Sequence, residues 1–142
     1  MLEIWVDEIS IADTVGYAHP KQVSSHMKKI HQYYKLSQII SRFHYTRAFG
    51  LANLVAALDE GVVKFDASIR GLGGFQYAPE ASGHIATEDC IKLWESMGYE
   101  TFINKDNLQT SCQLIPNWLP NEGLHGKFLS SIATSEQPNK TC

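Results

Sequence analysis

The sequence is short of cysteine. It has three in 142 residues, Cys90, Cys112 and Cys142, and no CxxC pair. An odd, scattered set offers neither a disulfide framework nor a zinc-ribbon spacing, and it points to a reducing compartment. Cys90 and Cys112 are expected on helix faces as small core residues. Positive charge is scarce as well. Twelve Lys and Arg stand against fifteen Asp and Glu, for a net charge of −3, and Lys28-Lys29 is only a pair. This argues against a basic face that holds nucleic acid by its phosphates. No apolar run approaches the roughly 20 residues of a membrane span. The opening MLEIWVDEIS lacks the basic start of a signal peptide. The expected location is cytoplasmic, with a matrix protein stripped of its transit segment as the alternative.

At 44% hydrophobic residues, the chain can bury a core, and nothing in it suggests disorder. The length predicts one domain over residues 1–142. Strand-like and helix-like patterns alternate along it. EISIAD, Glu8–Asp13, reads as a strand, and GYAHP punctuates it. From Pro20 a helix is predicted, with Val23, Met27, Ile30 and Tyr34 on one face. Leu36–Phe43 reads as the second strand. A helix carrying Leu51, Leu54, Val55 and Leu58 follows, stopped by Gly61. Val62–Ser68 is the third strand, and the stretch GLGGFQYAPEASGHIATED, Gly71 to Asp89, follows it. Thr87 is the predicted cap of a helix bearing Cys90, Leu93, Trp94 and Met97 and ended by Gly98. A last helix is predicted from Lys105 to about Ile115, after which Pro116 and Pro120 open an irregular tail.

Strand then helix, three times over, predicts an α/β fold with a parallel sheet. The repeat of about 25–30 residues equals one unit of an eight-unit barrel, which takes about 250 residues to close. Three units cannot close. The pattern therefore suggests a piece of something larger, with a three-stranded open sandwich as the rival. In parallel α/β folds ligands sit at the carboxyl ends of the strands. Asp13-Thr14, Arg42 to Arg47, and Ser68 to His84 are placed there. Asp13, His44 and His84 could thus converge, and Asp and His suit a divalent cation. Any one such histidine is more often a surface or hydrogen-bonded residue than a ligand. His19, His26 and His31 are expected on solvated surface, and His125 in the tail.

The glycine-rich stretch lacks the Lys-Ser/Thr of a phosphate loop and the spacing of a dinucleotide fingerprint. Gly71, Gly73, Gly74 and Gly83 permit unusual backbone angles. Small residues and little charge favour a lid over a plain connection.

These residues resemble the 3-hydroxy-3-methylglutaryl-CoA lyase family. EISIADTVGYAHP is similar to its EISLGDTIGVGTP stretch. The run from His44 to Asp89 is similar, without gaps, to HDTRG…LAN…AL..G…FD.S..GLGGCPYAPGASGN.ATED. The resemblance covers about Glu8 to Ile115, and its GLGG..YAP..SG..ATED string is specific. It implies the C-terminal portion, about strands 6–8 and their helices, of a TIM (β/α)8 barrel of the pyruvate carboxyltransferase type. It also implies cleavage of an acyl-CoA substrate, 3-hydroxy-3-methylglutaryl-CoA, to acetyl-CoA and acetoacetate. The implied cofactor is a divalent metal, Mg2+ or Mn2+. Chemically the reaction is a retro-aldol-type cleavage through a thioester enolate.

In that family the metal is held by an Asp on the first barrel strand, two His of an HxH, and the Asn of SGN. A loop Cys serves catalysis, and an Arg beside the first-strand Asp stabilises charge. On this correspondence the chain starts near the sixth strand, so the Asp and Arg of the first strand have no counterpart. His44 matches the second His, but Arg42 stands at the first, and a guanidinium cannot ligate a cation. His84 stands at the Asn, where an imidazole suits Zn2+ better than Mg2+. Phe75 replaces the Cys, and Tyr45 the Asp after the His. The resemblance assigns Asp13 to catalysis, His44 and His84 to metal, and Thr14, Arg42, Gly73 and Gly74 to substrate. The departures imply an impaired chain with poor affinity for metal. Its alternative is a non-catalytic half-barrel remnant that binds an acyl-CoA or another protein. An unpaired first strand further implies self-association or a partner that completes the barrel.

Overall fold

The computed structural model describes residues 6–73 and 83–127. The expectations for Gly74, Phe75 and Cys142 lie outside these residues. Three strands, β1 (Ile9–Ala12), β2 (Ile39–Arg42) and β3 (Lys64–Asp66), form one parallel sheet in the order β1-β2-β3. Helices α1 (Pro20–His31) and α2 (Gly50–Asp59) make the crossovers, and α3 (Thr87–Ser96) and α4 (Lys105–Trp118) follow.

Helices α1 and α4 begin at a capping side chain. Pro20 sits in the first turn of α1, and the His19 Nδ1 accepts from the Gln22 amide at 3.3 Å. Lys28, Lys29 and His31 fill its last turn, where cations complement the helix dipole. Glu88 and Asp89 do the converse at the start of α3. The Asn104 side chain accepts from the Asn107 amide at 2.9 Å and starts α4.

The sheet has a covered face and an open one. Ile9 and Ile11 of β1 are half-buried while Ser10 and Ala12 are exposed. In β2, Ile39 and Ser41 are buried. The register pairs Ile9 with Ile39 and Ile11 with Ser41, so these side chains share one face. Val23 and Met27 of α1 and Leu54 and Ala57 of α2 pack on it, joined by Phe43, Val62, Ile85 and Cys90. Burying each large aliphatic side chain here contributes about 1.5–3 kcal/mol. The other face carries Arg42, Lys64 and Asp66. Among the described residues β1 pairs with β2 alone.

Several expected boundaries move. Leu36–Gln38 is a 3-10 turn, and strand pairing begins at Ile39. The third strand shrinks to Lys64–Asp66, with Val62 buried just before it. Tyr34 lies beyond the end of α1 and is 49% exposed, because the chain must turn there to reach β2. Thr87 is the first residue of α3 rather than its cap. Ala86 holds that place without a side-chain bond. Pro116 lies inside α4, near its end, where losing one amide donor leaves the last turn intact. Cys90 and Cys112 are free and buried on α3 and α4, as expected. No helix among the described residues is long and apolar enough to cross a membrane.

Candidate functional site

The carboxyl ends of β2 and β3 lead into residues that bond the segment 83–86. The Tyr45 amide donates to the Gly83 carbonyl at 3.1 Å, and the Ile85 amide donates to the Phe43 carbonyl at 3.1 Å. On its other side this segment bonds Ser68, through Ser68 N to the Ile85 carbonyl at 3.2 Å and Thr87 N to the Ser68 carbonyl at 2.9 Å. It thus prolongs the sheet past β2 and β3. This sets His84 opposite His44 in an isolated antiparallel bridge. The two imidazoles lie edge to face, with ring centroids 4.5 Å apart.

His44 is buried, and its Nδ1 lies 2.8 Å from the Asp13 carbonyl. The proton of the neutral ring therefore belongs on Nδ1, which leaves the Nε2 lone pair for chemistry. Burial holds the His44 imidazole below its usual range; the Asp13 carbonyl and carboxylate pull the other way, and Arg42 adds to the lowering. His84 is lowered by burial first, then by His44 and Arg42, against Asp66. Both rings are thus biased toward the neutral form.

Gly73 adjoins His84. Its φ is +105°, and a Cβ there would stand 3.2 Å from the His84 Cε1. Only glycine meets both demands without strain.

Asp13 is present at the site through its backbone. Its carboxylate accepts from the Tyr17 amide at 3.0 Å and the Ala18 amide at 3.2 Å, which closes the turn after β1. Thr14 is exposed in that turn. Buried Asn53 of α2 clamps the same turn, its Nδ2 donating to the Ala18 carbonyl at 2.8 Å. The Arg47 guanidinium lies over the Tyr17 ring, 3.7 Å from its centre.

Arg42, on the open face two residues before His44, donates from Nε and Nη2 to one Asp66 oxygen, at 3.1 and 2.8 Å. The register makes this pair, since Arg42 and Asp66 are direct partners across β2 and β3. Lys64 and Glu8 form a second ion pair on that face. Asp66, Asn53 and His125 are the site residues that sequence reasoning missed. Asp66 had a usable signal, a carboxylate ending a strand parallel to one that ends in Arg.

A divalent cation finds few donors. His44 and His84 offer imidazole nitrogen, the Asp13 carboxylate is committed to amides, and the Arg42 guanidinium sits beside His44 with Asp66 in its grip. Among the described residues no three His, Cys, Asp or Glu could hold a metal ion together. Such a set does not suit Mg2+ or Mn2+, which take about six oxygens.

Comparison with known proteins gives the same geometry a lineage. The HMGL-like family pattern matches residues 1–115. A hydroxymethylglutaryl-CoA lyase of Bacillus subtilis is 38% identical over 115 residues, 81% of this chain and 38% of the relative. The human mitochondrial hydroxymethylglutaryl-CoA lyase is 38% identical over 101 residues, 71% of this chain and 31% of its own. An (R)-citramalyl-CoA lyase of Chloroflexus aurantiacus is also 38% identical, over 72% of this chain and 32% of its own. Among solved structures, the B. subtilis HMG-CoA lyase superposes with a TM-score of 0.83 at 35% identity, over 90% of this chain and 43% of that one. An Acinetobacter baumannii HMG-CoA lyase in complex with coenzyme A and 3-methylmalate superposes with a TM-score of 0.79 at 34% identity, over 96% and 43%. The chain spans less than half the length of these relatives. Its parallel sheet and helices superpose on part of their fold, and the chain belongs to the HMGL-like family.

Proposed function

We propose that this chain is the C-terminal sector of a hydroxymethylglutaryl-CoA lyase-like barrel, that it takes an acyl-CoA at its strand ends, and that alone it is catalytically impaired. The observation that carries this reading is the Arg42–Asp66 ion pair beside the His44–His84 pair. The arrangement keeps one neutral imidazole ready to move a proton, yet it puts a fixed positive charge where the resemblance calls for a metal ligand. Cleavage of a 3-hydroxy thioester needs a base for the hydroxyl proton and a cation for the developing enolate. His44 can supply the first through Nε2. Arg42 can hold a substrate carboxylate, but its charge is already shared with Asp66.

The open face and the side of β1 that is unpaired among the described residues favour a partner that completes the barrel. The second reading, a remnant that only binds an acyl-CoA, is favoured by the commitment of the Asp13 carboxylate to backbone amides.

A complementation experiment tests the proposal. The chain is mixed with a polypeptide carrying the first five strand–helix units of the B. subtilis relative. Co-elution on size exclusion is expected. In the mixture the Arg42→His, Phe75→Cys, His84→Asn triple variant should cleave 3-hydroxy-3-methylglutaryl-CoA with Mg2+, and the native chain should not. Equal cleavage by both would overturn the impairment. Failure to associate would favour the binding-only reading.

A further inference from the structure

The donors at the strand ends do not suit Mg2+ or Mn2+, yet they offer another way to hold an anion. The Arg42 guanidinium is a planar fork of N–H donors, and Asp66 engages one edge of it. Nε and Nη2 share that edge, and both donate to the single oxygen Asp66 Oδ2, at 3.1 and 2.8 Å. The register fixes this contact, because Arg42 and Asp66 face each other across β2 and β3. The opposite edge is formed by Nη1 and the second N–H of Nη2. Among the described residues nothing accepts from it. The Arg42 and Asp66 side chains are 41% and 38% exposed, so a ligand can reach the pair. Lys64, the other cation of this face, is paired with Glu8. The free edge also lies close to the histidines. His44 follows Arg42 by two residues, and His84 meets His44 ring to ring. Both imidazoles feel the Arg42 charge.

We propose that this site recognises a carboxylate without a metal: the free Nη1–Nη2 edge of Arg42 binds the distal carboxylate of a 3-hydroxydicarboxylic acyl group as a bidentate pair, while Asp66 holds the guanidinium in place. The inference deepens the acyl-CoA reading above and rests on it for the class of ligand. A guanidinium edge and a carboxylate match at two points, and charge-assisted bonds of this kind are shorter and stronger than neutral ones. The Asp66 contact fixes the Arg42 side chain before the ligand arrives, which lowers the ordering cost of binding. Asp66 also sets a limit. Its charge on the far edge repels a second carboxylate, so the affinity for a free diacid is modest. The Arg42 charge repels a divalent cation, so adding one does not tighten the complex.

An NMR titration of the full chain tests it, with 3-hydroxy-3-methylglutarate as the probe and EDTA present. The Arg42 Nη signals and the His44 and His84 ring signals should shift together and saturate. The Arg42 Nε–H, held by Asp66, should move little. Replacing EDTA with Mg2+ should leave the affinity unchanged. Arg42→Lys keeps the charge and loses the fork, and should weaken binding about tenfold. Arg42→Gln should abolish saturation. Shifts that need Mg2+, or an Arg42→Lys chain that binds as the native one does, would overturn the proposal. So would a native spectrum that the diacid leaves unchanged, an outcome that needs no variant to fold. Two thioesters test the acyl-CoA reading separately: 3-hydroxy-3-methylglutaryl-CoA, and 3-hydroxy-3-methylbutyryl-CoA, which lacks only the carboxylate. If neither binds, that reading fails, and the diacid titration still decides the role of Arg42. If both bind equally, the reading survives and the role of Arg42 is overturned.

Discussion

Asn53→Ala isolates the clamp that presents His44. Asn53 is fully buried on α2, and its Nδ2 donates to the Ala18 carbonyl at 2.8 Å. That bond contributes about 0.5–1.5 kcal/mol net, and an orphaned buried carbonyl adds up to about 1–3 kcal/mol. Two features pull the total down. Ala18 is half-buried, so water recovers part of the loss. Among the described residues the Asn53 Oδ1 has no hydrogen-bond partner, so removing it breaks no further bond there. The expected destabilisation is about 1–2 kcal/mol. With a urea slope of about 1–3 kcal/mol per molar, the unfolding midpoint should fall by roughly 1 M. Asn53→Asp should be worse than Asn53→Ala, because it turns a carboxylate oxygen toward the Ala18 carbonyl and buries a charge. The effect should also reach the site. The Tyr17 and Ala18 amides hang from the Asp13 carboxylate, and the Asp13 carbonyl faces the His44 Nδ1. A loosened turn should shift the His44 ring nitrogen signals. A midpoint unchanged in Asn53→Ala, or Asn53→Asp no worse than Asn53→Ala, would refute this reasoning.

Gly73→Ala should destabilise by about 1–3 kcal/mol, from backbone strain at positive φ and from a Cβ 3.2 Å from His84; urea unfolding with the His84 signals as a second readout checks it. His44, His84 and His125 all have lowered pKa values in the fold. The unfolded chain therefore binds more protons below about pH 6.5, so stability is full above that pH and declines as pH falls through it. The urea midpoint should be lower at about pH 5.5 than at pH 7.5. The Cys90 and Cys112 thiols are pushed up to about 12, chiefly by burial, so at pH 8 both should resist a thiol reagent until urea unfolds the chain, as mass spectrometry can read. With β1 paired on one side among the described residues, light scattering at high concentration should find the chain self-associated.

The architecture was legible because strand-like patterns give way to a helical period of about 3.6 three times along the chain. Val23 and Met27, or Leu54 beside Ala57, announce which helix face meets the sheet. Strand ends were less legible. Leu36 is buried like a strand residue but lies in a 3-10 turn, since burial does not specify backbone pairing. The site was legible only in part. Strand-end reasoning brought His44 and His84 together, and the structure places them ring to ring. It could not foresee that the Asp13 carboxylate closes its own turn, because that depends on where the amides of Tyr17 and Ala18 point. Arg42 and Asp66 are 24 residues apart and meet only once the register is fixed. His125 carried no local signal at all. It follows an irregular stretch, and its place is set by Arg70, Tyr45 and Gly71, all distant in sequence.

The central claim is membership of the lyase family without an intact catalytic set. A coupled assay for acetoacetate release from 3-hydroxy-3-methylglutaryl-CoA, with Mg2+ or Mn2+ and the purified 142-residue chain, tests it most directly. The account predicts no product above the rate without protein. Product that disappears in His44→Ala would contradict it, and would mean that Arg42 and His84 build a working site.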